Sequence, residues 1–507
     1  MSSATLIVGT VLLGLLIVGW IGIKGGQRSS HTLEGWVVSD RGLGPVMTWF
    51  LLGTEVYTVF TFLGLAGFAY ARGGGVFYNV ATNDIGYALG FFLLPAIWLL
   101  GRRFGYVTQS DFIAGRYQSP ALGIFVAFCT ALIMIAYVDL NIEGLGAVLN
   151  ALLGGRINLT EAEALGFVIL TLAVFFGGIR GNAIQSAIKD VLMFVSIAVL
   201  FVLVPIHYFG GFGPMFQRMM TEIPARITMP GPTHKLGLSW FATTALLTGF
   251  GQWMWPQWFG VAYTGRGPRT LKLQAVFMPF YQLVKVAVIT IGFAAILIFA
   301  GQKIPGNDVV MRLAQDIFPA WFLALFALAA VLSAIIPAGP IVMTSCTLLA
   351  RNVYAKLRPN TSPASVYRLS RWLVFPITLL ALLLALVARS LIVVVLLVAY
   401  DFIAQLLPAV LIGGLLWRRA TATGVFSGLI CAWIAVAALH LTGHEQVFGM
   451  ATGFVVLIGN TVIFVVVSLL TQPVDRSVTD RFFRAVYSHD PLPPTPMPVL
   501  ASAADRA

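Results

Sequence analysis

The chain reads as an all-α polytopic membrane protein with about thirteen transmembrane helices. Three observations predict this. Hydrophobic residues fill 59% of the 507 positions and charged residues only 10%, where a soluble protein carries about 25% charged residues. The apolar residues gather in windows of roughly 20, the length that crosses a ~30 Å hydrocarbon layer as a helix. Gly, Pro and short basic connectors punctuate those windows and mark their ends.

The first window, 4–24, has no basic leader and no small-residue cleavage site after it. It is expected to be a retained span and not a signal peptide. Further windows follow at 45–71, 80–101, 120–149, 160–177 and 182–208, then at 238–263, 272–300, 319–354 and 368–389, and last at 391–417, 420–442 and 447–471. Orientation comes from the connectors. With the amino terminus outside, 21 of the 31 Lys and Arg fall in cytoplasmic segments and 8 outside, leaving only Lys189 and Lys285 within spans. Cytoplasmic loops carry the excess of Lys and Arg, so an outer amino terminus, a cytoplasmic carboxyl terminus and an odd number of spans are expected.

The formal net charge of +12 does not point to nucleic acid, because the basic residues lie in those short connectors. Cys129, Cys346 and Cys431 all fall inside apolar windows, which excludes a disulfide framework. His440 and His444 are expected to be an incidental pair at an outer loop, and no histidine set has metal-ligand spacing. No resident cofactor is expected beyond a coupling ion, H⁺ or Na⁺.

Two windows are interrupted. The second runs Met47-Thr-Trp-Phe-Leu-Leu-Gly-Thr-Glu-Val-Tyr-Thr-Val-Phe-Thr-Phe-Leu-Gly64 and places Glu55 about ten residues in, some 15 Å deep. A carboxylate at mid-bilayer costs on the order of 2.5–3.5 kcal/mol on the insertion scale, so it marks a watered polar site. The seventh window contains Thr248-Gly-Phe-Gly-Gln-Trp-Met-Trp-Pro-Gln-Trp258, where Gly249, Gly251 and Pro256 break an apolar run. Irregular backbone at membrane depth is tolerated where it lines a cavity. Two breaks five spans apart predict a five-plus-five inverted-repeat transporter core, with solute and ion meeting at the breaks.

Five segments carry a family resemblance over nearly the whole length. Gly105-Tyr-Val-Thr-Gln-Ser-Asp-Phe-Ile-Ala-Gly-Arg-Tyr117 follows the third span, and Gly177-Gly-Ile-Arg-Gly-Asn-Ala-Ile-Gln-Ser186 joins the fifth to the sixth. Ala329-Ala-Val-Leu-Ser333 and Thr344-Ser-Cys-Thr-Leu-Leu-Ala-Arg-Asn-Val-Tyr354 lie in the ninth, and Pro408 through Gly414-Leu-Leu-Trp-Arg-Arg419 ends the eleventh. Together they resemble the solute:sodium symporter family. The bacterial monocarboxylate permease branch is the most similar, through Gly105-Tyr-Val-Thr, Lys189-Asp190, and Trp255-Pro256 leading to Met278-Pro-Phe-Tyr281. The resemblance implies four parts: 1–43, a first span and cytoplasmic loop; 44–417, the ten-helix core; 418–471, two peripheral spans; and 472–507, a Pro-rich cytoplasmic tail. It also implies a sodium site from carbonyls near Thr54 and Tyr57 and from hydroxyl positions that fall at Cys346 and Thr347. A thiol is a poor ligand for hard Na⁺, and Gln185-Ser186 stands where sodium-coupled members carry Thr-Asp.

Lys189 lies about seven residues into the sixth span, ~10 Å from its cytoplasmic edge. Its ammonium is a compact cation that can release its proton when desolvated. Beside the would-be sodium position it could stand in for Na⁺, with Glu55 or Asp190 as counter-charge; the other reading is that it snorkels to the cytoplasm. Candidate solute-binding residues are Glu55, Thr58, Thr61, Gln252, Trp255 and Asp401. Back-bonding to the helix competes for the threonines, simple packing for the tryptophan, and a structural salt bridge for Asp401. Asp139 and Glu143 share a helical face, directed to an outer vestibule. A pairing of Lys285 with a solute carboxylate or with Asp401 is conceivable, but neither is the expectation. The ion-coupling candidates are Lys189, Asp190, Thr54, Tyr57, Cys346 and Thr347.

The expected function is a secondary active symporter in the inner (plasma) membrane. It imports a small organic solute, a short monocarboxylate by the family resemblance, with protons as the driving ion. Sodium coupling of another solute such as an amino acid stays open, and the buried acids would also suit a zwitterion or cation. A sensor is disfavoured because the tail after Thr471 is short and Pro-rich, an enzyme because no nucleophile or metal constellation occurs, and a channel because no filter-like repeat does. The expected partners are the solute and lipid, not nucleic acid, with a monomer as the working unit.

Overall fold

The computed structural model describes residues 3–152, 158–232, 236–387 and 392–487. Arg156, Lys235, Arg389, Arg506 and the Pro-rich tail after 487 lie outside the described residues. Within them the chain is helical apart from loops and one short hairpin, Gln446–Val447 with Met450–Ala451.

Among the described residues, eleven continuous helices are long and apolar enough to cross a membrane. The second and seventh spans are interrupted: Pro45–Thr54 resumes as a π-helical turn at Phe60 and then Leu65–Arg72, and Leu238–Gly251 resumes as Pro256–Thr264. Counting these two gives the expected thirteen. The third span begins at Gly74, earlier than its hydropathy window at 80. Asn79, Thr82 and Asn83 are buried in its first third, and such polar residues lower the window's hydropathy without ending the helix.

The halves of the second span pack differently. Its first half lies against the sixth span (Ile179–Phe209), its second half against the eighth (Pro268–Ile298). The fourth span (Pro120–Asn150) packs along the ninth (Ala320–Leu357), and the first (Thr5–Gly26) on the sixth and ninth. Lipid gives helices no hydrophobic reason to associate, so contact relies on close backbone approach at small residues. Gly181 is one such place, since a Cβ there would run into the Gly22 carbonyl. Large apolar side chains face outward instead, among them Leu16 and Trp20 on the first span and Ile458 and Val462 on the thirteenth (Thr452–Leu470).

The loop after the third span is a tie. Gly105 turns it with φ +71°, and Thr108 and Asp111 close a capping box on the helix Gln109–Tyr117. The Asp111 carboxylate also accepts from the Val107 amide (3.0 Å), Asn352 Nδ2 (2.8 Å) and Arg351 Nε (3.1 Å) at the end of the ninth span. Buried Arg116 donates to the Trp417 and Arg418 carbonyls (3.1 and 3.3 Å) where the eleventh span (Val394–Leu416) ends. Tyr117 donates to the Ala409 carbonyl at 2.7 Å. The Gly105–Tyr117 segment is thus a clamp between spans.

Burial raises the Asp111 carboxyl, but Arg351 and the hydrogen bonds from Val107 and Asn352 outweigh it and hold it below the usual carboxylate range. Asp111→Asn should therefore cost about 1.5–3 kcal/mol at neutral pH, read from thermal midpoints in detergent. Because the folded carboxyl sits below its unfolded value, its stabilisation is complete above that unfolded value and fades as pH falls through the folded one. Wild type and variant should converge on acidification below about pH 4; an unchanged gap there would refute the assignment.

Candidate solute and ion site

The first break is built by threonines and glycine. The Val56 and Tyr57 amides both turn back to the Gly53 carbonyl (2.9 and 2.8 Å), ending the helix before Glu55 can continue it. Thr58 Oγ1 accepts from the Phe60 amide (3.1 Å), and the Thr61 hydroxyl donates to the Val56 carbonyl (2.5 Å). These bonds satisfy backbone groups that a continuous helix would have paired.

The Tyr57 carbonyl, released by the break, accepts from Lys189 Nζ at 2.5 Å. The same ammonium lies 2.6 Å from Asp190 Oδ1, with Lys189 fully buried. Asp190 Oδ2 accepts from the Tyr281 hydroxyl at 2.9 Å. The Tyr57 hydroxyl in turn donates to the Tyr281 carbonyl at 3.3 Å, and the two rings meet edge to face, 4.2 Å apart. Gly53 makes room for this, because a Cβ on it would enter the Tyr281 ring. Lys189 does not snorkel; it closes a network linking the second, sixth and eighth spans.

The second break is set by Pro256. It cannot donate a helical hydrogen bond, and it favours an extended residue before it; Trp255 has φ −66° and ψ 127°. One residue on, Gln257 Nε2 points at Glu55 Oε2, a long contact of 3.5 Å. Glu55 is 4% exposed, and its other oxygen has no hydrogen-bond partner. Trp255 packs against Tyr137 of the fourth span (4.9 Å) and Tyr400 of the eleventh (5.3 Å). The two breaks therefore face each other across a buried carboxylate in an aromatic-walled centre.

The other candidates divide. Gln252 is buried at the second break, and its Oε1 accepts from Asn83 (3.2 Å). Thr58 and Thr61 both engage the backbone of the break, Thr58 Oγ1 as an acceptor and the Thr61 hydroxyl as a donor. Thr54 Oγ1 is buried with no partner, Cys346 is buried, and the Thr347 hydroxyl donates to its own helix at the Met343 carbonyl (2.7 Å). With the Tyr57 carbonyl held by an ammonium and a thiol in a hydroxyl position, this donor set does not fit the sodium site that the resemblance implied.

Asp401 turns away from the breaks. Its carboxylate meets His440 Nε2 at 2.7 Å, so His440 is a hydrogen-bond partner from the twelfth span (Ala422–Leu441) and not an incidental loop histidine. Lys285 consequently does not meet Asp401; it donates to Asn79 Oδ1 (2.8 Å) and to Asn83 Oδ1. Asp139 and Glu143 do not line an open vestibule: they are 1% and 8% exposed, close to Glu163 of the fifth span (Leu159–Phe176). Sequence reasoning missed Gln257, Asn79, Asn83 and Tyr281 as site residues. Only Tyr281 and Gln257 left a signal, one inside a quoted motif and the other beside the proline of a break.

The profile described as Sodium:solute symporter family matches residues 36–432. The chain belongs to the sodium:solute symporter family. An "Uncharacterized symporter YhjB" of Bacillus subtilis (strain 168) is 35% identical over 93% of this chain and 98% of that protein. A "Monocarboxylate transport permease protein" of Rhizobium johnstonii is 27% identical over 86% of this chain and 90% of its own length. Among solved structures, a substrate-bound, outward-open Na⁺-coupled sialic acid symporter superposes with a TM-score of 0.79 over 93% of this chain and 98% of that one. At 15% identity that likeness shows the fold alone. This symporter-family chain is a membrane-embedded secondary transporter of small solutes and not an enzyme.

Removing one member of a buried ion pair leaves the other charged and unpaired, a loss of about 3–5 kcal/mol. Lys189→Met should therefore lower the thermal midpoint in detergent markedly, and Lys189→Met with Asp190→Asn should recover most of the loss. A double variant no more stable than the single one would show that the two side chains are not energetically coupled.

Proposed function

We propose that this transporter imports a short monocarboxylate and couples the import to protons through Lys189. One observation carries the coupling: the ammonium sits on the Tyr57 carbonyl and on Asp190, where a cation ligand set was implied. The protonated lysine is then the built-in equivalent of a bound cation. Its charge joins the first half of the second span to the sixth span. Loss of the proton removes that joint, and the halves of the second span can repack. An ion drives a conformational change only through a difference in its interactions between the two states, and this joint supplies the difference.

The monocarboxylate class is supported by the likeness to the monocarboxylate transport permease of Rhizobium johnstonii, and the meeting of both breaks at Glu55 supports a solute site there. The excess of Lys and Arg in alternate connectors supports an outer amino terminus and a cytoplasmic Gly105–Tyr117 clamp. The core is residues 44–417, with one span before it and two after.

The test is reconstitution of the full chain in liposomes, with labelled pyruvate, lactate, acetate and alanine offered under imposed pH or Na⁺ gradients. Accumulation should follow an inward proton gradient, and Lys189→Ala should abolish it while sparing part of the solute exchange. Accumulation that follows Na⁺ at constant pH would overturn the coupling, and uptake of alanine alone would overturn the solute class.

A further inference from the structure

A second buried lysine plays no part in that coupling. Lys285 lies in the eighth span, 2% exposed, and forms no ion pair among the described residues. Its two partners, Asn79 Oδ1 and Asn83 Oδ1 of the third span, are neutral. An ammonium has three N–H donors, and these amides engage two of them. Asp84 of the third span acts on Lys285 electrostatically but forms no direct ion pair with it; burying a cation without such a pair costs several kcal/mol, which an anion arriving beside it would offset.

The surrounding amides point the same way. With its oxygen on Lys285, Asn83 must present its NH₂ group to Gln252 Oε1, at 3.2 Å. That fixes the Gln252 amide with its own NH₂ group turned away, and Gln252 Nε2 is buried with no acceptor. Among Lys285, Asn79, Asn83 and Gln252 the unengaged groups are therefore donors, the third ammonium N–H and Gln252 Nε2, while Gln282 Oε1, one turn earlier on the eighth span, is a buried acceptor without a hydrogen-bond partner. Gln252 belongs to the second break, and Asn83 adjoins the Tyr87 hydroxyl, which neighbours Tyr400 in the aromatic centre. An ionised carboxylate is acceptor-only and binds such donors through charge-assisted hydrogen bonds.

We infer that Lys285 and the Gln252 amide form the carboxylate-accepting end of the solute site. The inference rests on the monocarboxylate reading above, and it assigns that solute's anionic group to the third, seventh and eighth spans, apart from Glu55 and Lys189. Asn79 and Asn83 are positioning residues that hold the ammonium without neutralising it.

Two measurements on the full-length protein test it separately from the transport reading. In detergent, millimolar pyruvate, lactate or acetate should raise the wild-type thermal midpoint, and chloride at equal concentration should not. Lys285→Met and Asn83→Asp should both lose the carboxylate effect; the second leaves the lysine in place but gives it a resident carboxylate, so it guards against simple misfolding of the first. In liposomes, either variant should raise the KM for the carried monocarboxylate at least tenfold, while lactamide competition stays as in wild type. Variants that keep the wild-type KM within twofold would overturn the inference and leave the importer standing. No carboxylate shift in wild type, or an equal shift by chloride, would overturn it whatever the uptake assays give.

Discussion

The contact between the Lys189 ammonium and the Tyr57 carbonyl is the constraint on which the rest of the core depends. A helix broken in the membrane leaves backbone groups that water cannot reach, and each needs a partner or costs several kcal/mol. Here a long cationic side chain from a neighbouring helix supplies the partner. Its own charge is met by Asp190, and Asp190 is met by Tyr281. Gly53 and Tyr281 then fit together because any larger residue at 53 would collide with the ring. The chain of necessity runs from a missing hydrogen bond to the choice of a glycine.

The same logic separates three kinds of buried charge in this protein. Lys189 is paired with Asp190 inside the core, Asp401 meets His440 of the twelfth span, and Lys285 is held by two neutral amides without a direct ion pair. The first arrangement suits a group whose proton does work between two conformations. The second is a joint between the core and the spans outside it. The third suits a place where the counter-charge arrives and leaves.

Much of this was legible in the sequence for physical reasons. Thirteen spans could be found because lipid demands long apolar stretches, and both breaks because Gly53, Gly251 and Pro256 interrupt them. Glu55 and Lys189 stood out because ionisable groups are costly at depth. What could not be read were the pairings. Nothing in spacing tells that Asp401 meets His440 across two helices, or that Lys285 chooses Asn79 and Asn83 over an acid. The backbone bonds of Thr58 and Thr61 were not legible either, because a hydroxyl that lines a pocket and one that mends a broken helix are the same residue type. The start of the third span was missed because its amides look like loop in a hydropathy window.

The helix Gln109–Tyr117 has a mechanical consequence. Asp111 fastens it to the ninth span and Arg116 and Tyr117 to the eleventh, so these three elements turn as a unit. The residues flanking this strut, Gly105 and Gln118, both sit in left-handed backbone, with φ of +71° and +48°. Those two turns let the chain reverse on either side of the strut, while the Ser110 hydroxyl donates to the Gly123 carbonyl and ties it to the start of the fourth span as well.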